Sequence, residues 1–262
     1  MDSESKTIST GRGSVSFGEH GAGAPFAVLH SLLTDRTAFD TVLDDLPGRA
    51  LTFDLPGFGM TDPEDDIAGF ADAMASGIAT ACAGELPVTV VGNGLGSFVA
   101  LGVAVRHPEV VRRLILVGCG ATFPEPARPA FANMAALVEE GGMGAVAPMA
   151  LRRIFTEQYL DEHPEAAAQR TEVLMRTDPE AFVTACRALR DVDFTGQAGS
   201  IDCPVLIVVG NEDAATPPPM ARQLDELLPN STLVTMPGVA HAPQLQDPDG
   251  FVSNVVGFME GS

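Results

Sequence analysis

Residues 90–101 read VVGNGLGSFVAL: an apolar run, a turn with glycine at 92, 94 and 96, and a second apolar stretch free of breakers. This is the pattern of a strand passing through a tight turn into a helix. The strand opens at PVTVVG (87–92), and the predicted helix from Ser97 to Arg106 is stopped by Pro108. The wider segment Leu86 to Val105 is uncharged for 20 residues, long enough to cross a bilayer. Its Pro87, Asn93 and four glycines speak instead for strand, turn and helix.

Short apolar runs bounded by turn residues recur on either side: FAVLH (26–30), ALTFDLP (50–56), RLILVG (113–118), PVLIVVG (204–210) and STLVTMPG (231–238). Helix-like stretches separate most of them, which predicts an α/β chain with a mostly parallel sheet and helices on both faces. SVSFGEHG (14–21) reads as part of an antiparallel opening hairpin, and Pro248 to Met259 as a closing helix. The alternation breaks between Thr122 and Gly196. Helical windows fall there around Pro129–Glu140, Ala145–Thr156, Pro164–Arg176 and Pro179–Leu189, with no convincing strand. A core of residues 1–121 and 197–262, carrying a helical lid at 122–196, is therefore expected.

The chain has 262 residues, 45% hydrophobic and 19% charged, with a formal net charge of −20 and a single lysine, Lys6. That field repels polyanions, so nucleic acid and anionic membrane surfaces are not expected partners, while a small-molecule substrate is left open by the charge. Composition leaves homo-oligomerisation open. The polar N-terminus MDSESKTIST has no apolar signal core, and Cys82, Cys119, Cys186 and Cys203 show neither C-x-x-C nor Cys/His ligand spacing. A cytoplasmic protein without disulfides or a zinc site is expected. No metal, nucleotide or flavin motif stands out, so cofactor-free chemistry is expected.

Two chemistries use a strand, a glycine turn and a helix. In the dinucleotide fingerprint G-x-G-x-x-G/A, Gly92 and Gly94 would fit, but Ser97 takes the third position and no acidic residue ends a following strand. In the nucleophile elbow G-x-S-x-G, Gly92 and Gly96 fit around Asn93 and Leu95, while Gly94 stands where serine belongs. Across nearly its whole length the chain resembles the α/β-hydrolase superfamily, and within it the 3-oxoadipate enol-lactonases. The likeness is carried by HSLLTD (30–35), DLPGFGMTD (54–62), GNGLG (92–96), RHPEVVRRLILVG (106–118), RRIFTEQYLDEHPE (152–165), VVGNEDAATPP (208–218) and PGVAHAPQLQDPDGF (237–251).

The resemblance implies an acid, Asp213, after one strand and a histidine, His241, after the next, in the chain order of this fold. Asp213 would keep one imidazole nitrogen protonated so that the other acts as base. The backbone N–H groups of Leu32 and Leu95 would form an oxyanion hole, which needs no side chain and so survives the loss of serine. Ser31, Phe123 and the lid arginines Arg152 and Arg153 are candidate substrate-binding residues. Arg128, Arg170, Arg176, Arg187 and Arg190 share that segment. His30 is read as fixing its loop, and Cys119 as a small buried hydrophobe. Ser31 and Ser97 are the hydroxyls nearest the elbow in sequence, but neither occupies the tip of the turn.

Glycine at 94 leaves three readings. The Asp213–His241 pair could act directly on substrate or on a water, giving non-covalent hydrolysis or a lyase, isomerase or cyclase type of reaction. Alternatively, the protein is a serine lactonase or esterase whose serine has been substituted, or an inactive ligand-binding relative.

Overall fold

The computed structural model describes residues 5–261, so the first four residues of the polar N-terminal stretch lie outside the described residues. Eight strands form one sheet: β1 (Lys6–Thr10), β2 (Gly13–Gly21), β3 (Pro25–Leu29), β4 (Arg49–Phe53), β5 (Val88–Asn93), β6 (Val111–Val117), β7 (Val205–Gly210) and β8 (Ser231–Met236). Their spatial order is β1-β2-β4-β3-β5-β6-β7-β8. Strand β2 runs antiparallel to both β1 and β4, and every other pairing is parallel. The order doubles back at β3 and β4, so β3 and β5 become central neighbours, and it is their C-terminal ends that converge.

The helices that follow the strands are α1 (Ile67–Ala81), α2 (Leu95–Arg106), α3 (Pro129–Gly141), α4 (Met143–Ile154), α5 (Glu157–Glu162), α6 (Pro164–Met175), α7 (Pro179–Asp191), α8 (Pro218–Leu227), α9 (Pro243–Gln246) and α10 (Pro248–Glu260). All six residues of β5 are buried, as expected of a parallel strand covered on both faces. Successive side chains point to opposite faces. Phe26, Val28, Val91, Ile115 and Val117 pack with Phe39, Phe251 and Val255 on one side. Ala27, Leu29, Val90, Leu114 and Leu116 share the other side with Phe70 and Met74 of α1 and Phe98 and Leu101 of α2. Ten of the twelve residues of α2 are buried, which is why its sequence is apolar all round rather than striped.

Helices α3 to α7 occupy the chain between β6 and β7. Proline opens α3, α6 and α7, where its missing N–H costs no intrahelical bond, and Asp178 caps α7 by accepting from the backbone of Glu180 and Ala181. The short helix α5 is an addition to the four predicted windows. Among the described residues the segment's β pairing is a single bridge, Thr122 to Asp193, which closes its base. Phe123, Phe131, Met134, Phe182 and Leu189 join the apolar core on the α2 side of the sheet. Among the described residues no helix is long and apolar enough to cross a membrane, and Leu86 to Val105 is divided between β5 and α2.

Candidate active site

Strand β5 ends at Asn93 and α2 begins at Leu95, so Gly94 alone makes the corner, with φ +52° and ψ −116°. Glycine takes such dihedrals without a Cβ penalty. Two positions on, the chain passes so close to β3 that a Cβ on Gly96 would lie 2.2 Å from the Leu29 carbonyl oxygen. In the same place the Gly96 N–H donates to the His30 carbonyl at 2.9 Å. The elbow is thereby joined to the loop after β3, and that joint sets Ser31 over Gly94.

His30 is fully buried in that loop. Its Nδ1 lies 2.8 Å from the Ser31 carbonyl oxygen and its Nε2 accepts from the Leu55 N–H at 3.1 Å. Nδ1 is therefore the protonated nitrogen and the ring is neutral; burial pushes its pKa below the ordinary imidazole value. Thr34 holds the same turn, donating N–H and hydroxyl to the Ser31 carbonyl and accepting the Ser31 N–H.

Asp213 sits three residues beyond β7. Its Oδ1 accepts from the Ala215 and Thr216 N–H groups at 2.8 and 2.9 Å, and its Oδ2 accepts from the Thr216 hydroxyl at 2.8 Å. His241 Nδ1 is also 2.8 Å from Oδ2, and both side chains are almost wholly buried. Burial pushes the Asp213 carboxyl up, but the neighbouring imidazole and the hydrogen bonds from His241 and Thr216 outweigh it and hold the group below the usual carboxylate value. An ionised carboxylate only accepts, so Nδ1 carries a proton, and in the tautomer that this fixes Nε2 is the acceptor. The partner of Nε2 is the Ser31 hydroxyl, 3.4 Å away.

The His241 main chain is tied to the elbow, because its carbonyl accepts from Asn93 Nδ2 at 2.9 Å and Asn93 Oδ1 accepts from Gln244 Nε2 at 3.1 Å. Gly118, just past β6, lies against the ring: a Cβ there would stand 2.7 Å from Nδ1. Among the described residues the N–H groups of Leu32 and Leu95 have no hydrogen-bond partner.

Ser31, Leu32, Gly94, Leu95 and His241 line one wall of a cavity with about 30 Å³ of free space, room for one or two waters. Phe98, Phe123, Phe131 and Met134 supply apolar walls, with the Phe123 ring centroid 5.1 Å from that of Phe98 and 4.7 Å from that of Phe131. Arg153, near the end of α4, reaches the same cavity, half-buried, and has neither hydrogen bond nor ion pair among the described residues. Burial pushes its pKa down, opposed by the field of Asp213.

Of the two candidate arginines Arg152 and Arg153, the structure brings Arg153 alone to this cavity. Arg152 is exposed and lies outside the cavity wall. Consecutive helical residues project about 100° apart, so one of the two turns away when the other turns in. The other candidate arginines between β6 and β7 also lie outside this wall: Arg128 pairs with Glu125, Arg187 with Glu139 and Arg190 with Asp191. Ser97, the other hydroxyl near the elbow, is a buried strut donating to the Gly92 carbonyl and accepting from the Val117 N–H. Cys119 is buried outside the wall, its thiol pushed up by burial. Among the described residues no group of three or more His, Cys, Asp or Glu could hold a metal ion.

Residues 20–254 match the model of the alpha/beta hydrolase family. The chain belongs to the alpha/beta hydrolase family. A relative in Neisseria meningitidis serogroup B, a pimeloyl-[acyl-carrier protein] methyl ester esterase, is 32% identical over 251 residues, covering 89% of this chain and 92% of that protein. The solved enol-lactonase of Burkholderia xenovorans LB400 superposes with a TM-score of 0.88 over 97% of this chain and 99% of that one, at 22% identity. A thermophilic esterase from Thermogutta terrifontis superposes with a TM-score of 0.86 at 22% identity, covering 98% of each chain. At that identity the two structures speak for the fold alone.

Three residues of this alpha/beta hydrolase escaped the sequence reading. Thr216 completes the Asp213 cradle, and a threonine three residues after an acid is the pattern of a self-bonding turn, so a signal was present. Gly118 and Gln244 carried none, because their contacts are made across the sheet and through Asn93.

Proposed function

We propose that this protein is a hydrolase of small carboxylic esters or lactones that bear an anionic group, with His241 as the base. The reading is carried by one observation: the Asp213–His241 pair, bonded at 2.8 Å and buried, presents its acceptor nitrogen to the cavity. Asp213 fixes the ring and stabilises the imidazolium once His241 has taken a proton. The Leu32 and Leu95 amides, without hydrogen-bond partners among the described residues, are the groups that would receive a developing oxyanion. The esterase relative supports carboxylic ester chemistry for this chain.

Arg153 supports the anionic part of the reading. This half-buried guanidinium, without a hydrogen bond or ion pair among the described residues, has lost solvation that the field of Asp213 only partly offsets, and a substrate carboxylate would offset the rest. Helices α3 and α4, which carry Phe131, Met134 and Arg153 over this narrow cavity, act in this reading as a cap that shifts to admit substrate.

The test is turnover of a panel of p-nitrophenyl esters and enol-lactones by the wild-type protein, His241→Ala and Gly94→Ser. Turnover by the wild type that falls at least about a hundredfold in His241→Ala is the expected result. Activity confined to Gly94→Ser would point to a serine hydrolase that lost its nucleophile, and inactivity throughout to a ligand-binding relative.

A further inference from the structure

We propose that Ser31, in the loop after β3, is the nucleophile of this site, replacing the serine that the elbow lacks. The inference rests on the reading of His241 as the base and assigns the hydroxyl on which it acts.

Four observations carry it. First, Ser31 Oγ stands 2.5 Å from the point that a Cβ on residue 94 would occupy, and His241 Nε2 stands 2.6 Å from it. The hydroxyl therefore fills the space of an elbow side chain, and the imidazole is aimed at it. Second, the proton positions match a nucleophile awaiting activation. Asp213 obliges Nδ1 to carry the ring proton, so across the 3.4 Å contact the Ser31 hydroxyl donates and Nε2 accepts. Such contacts are commonly long without substrate and tighten once it is bound.

Third, every other polar group of Ser31 is engaged. Its N–H donates to Thr34 Oγ1, and its carbonyl accepts from Thr34 and from the His30 ring. The backbone is held rigid while the hydroxyl keeps His241 as its partner. Fourth, the oxyanion donors need no change. An elbow serine uses the amide of the residue that follows it together with one from the loop after β3. With Ser31 as nucleophile, Leu32 is the following residue and Leu95 the donor from the facing element. The same two unpartnered amides serve with their roles exchanged.

The chemistry balances within the site. Ser31 Oγ bonds to the acyl carbon as its proton passes to His241 Nε2, and the carbonyl oxygen takes the negative charge. Collapse breaks the bond to the leaving alkoxide, which receives the proton from His241. A water then attacks the acyl-Ser31 ester, giving a proton to His241. That second collapse releases the carboxylic acid and returns the proton to Ser31 Oγ.

The experiment is labelling of the intact wild-type protein with a fluorophosphonate, which phosphonylates an activated serine with loss of fluoride. Mass spectrometry of the protein and its peptides is run beside p-nitrophenyl acetate turnover in wild type, Ser31→Ala and His241→Ala. The expected result is one phosphonyl group, mapped to Ser31 and absent in His241→Ala, with turnover in Ser31→Ala reduced at least about a hundredfold. Since the adduct is read on the wild-type protein, poor folding of a variant does not blunt the test. An adduct on another residue overturns the proposal, as does the absence of any adduct. If His241-dependent turnover persists without an adduct, the direct-water route stands and only Ser31 is displaced. If the ester panel also shows no turnover, the hydrolase reading falls with it.

Discussion

A single absent Cβ at position 94 governs the arrangement of two side chains. Because Gly94 presents no side chain, Ser31 Oγ and His241 Nε2 approach within 3.4 Å of each other above it. Restoring serine is therefore not a simple repair. Gly94→Ser would place a Cβ at φ +52° and within 2.6 Å of both atoms. It should lower stability by about 1–3 kcal/mol in urea unfolding. In combination with Ser31→Ala the two effects should depart from additivity by more than about 0.5 kcal/mol, because they compete for one space. Additive values would show that they do not. The Asp213–His241 pair was implied by the family resemblance, and the structure bonds the two side chains at 2.8 Å. The Ser31–His241 contact was not implied, since it joins residues 210 apart and needs the elbow to be empty.

Strand β5 and helix α2 form the joint on which the site depends, and its tolerance is dictated by backbone against backbone. A Cβ on Gly96 meets the Leu29 carbonyl oxygen at 2.2 Å, and neither β3 nor α2 can withdraw without opening the core. Gly96→Ala should cost about 3 kcal/mol or more and also depress hydrolysis by parting Ser31 from the elbow. Gly196→Ala, where a Cβ meets nothing within 4 Å, should stay within about 0.5 kcal/mol and serves as the control. At this level much was legible beforehand: the six apolar runs became strands, and proline and aspartate marked the starts of α3, α6 and α7. Helix α5 was not, because its six residues, EQYLDE, carry no apolar repeat and bury no side chain fully.

Over the whole molecule a net charge of −20 surrounds a cavity lined by Arg153, which among the described residues has neither hydrogen bond nor ion pair. The two act over different distances. The surface field repels an anion at long range and is screened by salt, whereas a half-buried guanidinium is screened far less. For an anionic ester, kcat/KM should therefore rise as ionic strength increases from about 0.01 to 0.15 M, where the screening length contracts from about 30 to 8 Å. A neutral ester of the same shape should show no such rise, and an equal rise for both would remove the electrostatic explanation. Sequence alone determined the alternation of strand and helix, the helical windows between β6 and β7, and the glycine turn between β5 and α2. Each is written in local spacing and residue type, which periodicity and turn chemistry expose directly. Only the tertiary structure decided that Arg153 and not Arg152 faces the cavity, and that Ser31 rather than Ser97 meets His241. Those choices follow from how α4 is rotated about its axis and how closely β3 approaches the elbow, quantities set by packing between segments far apart in the chain.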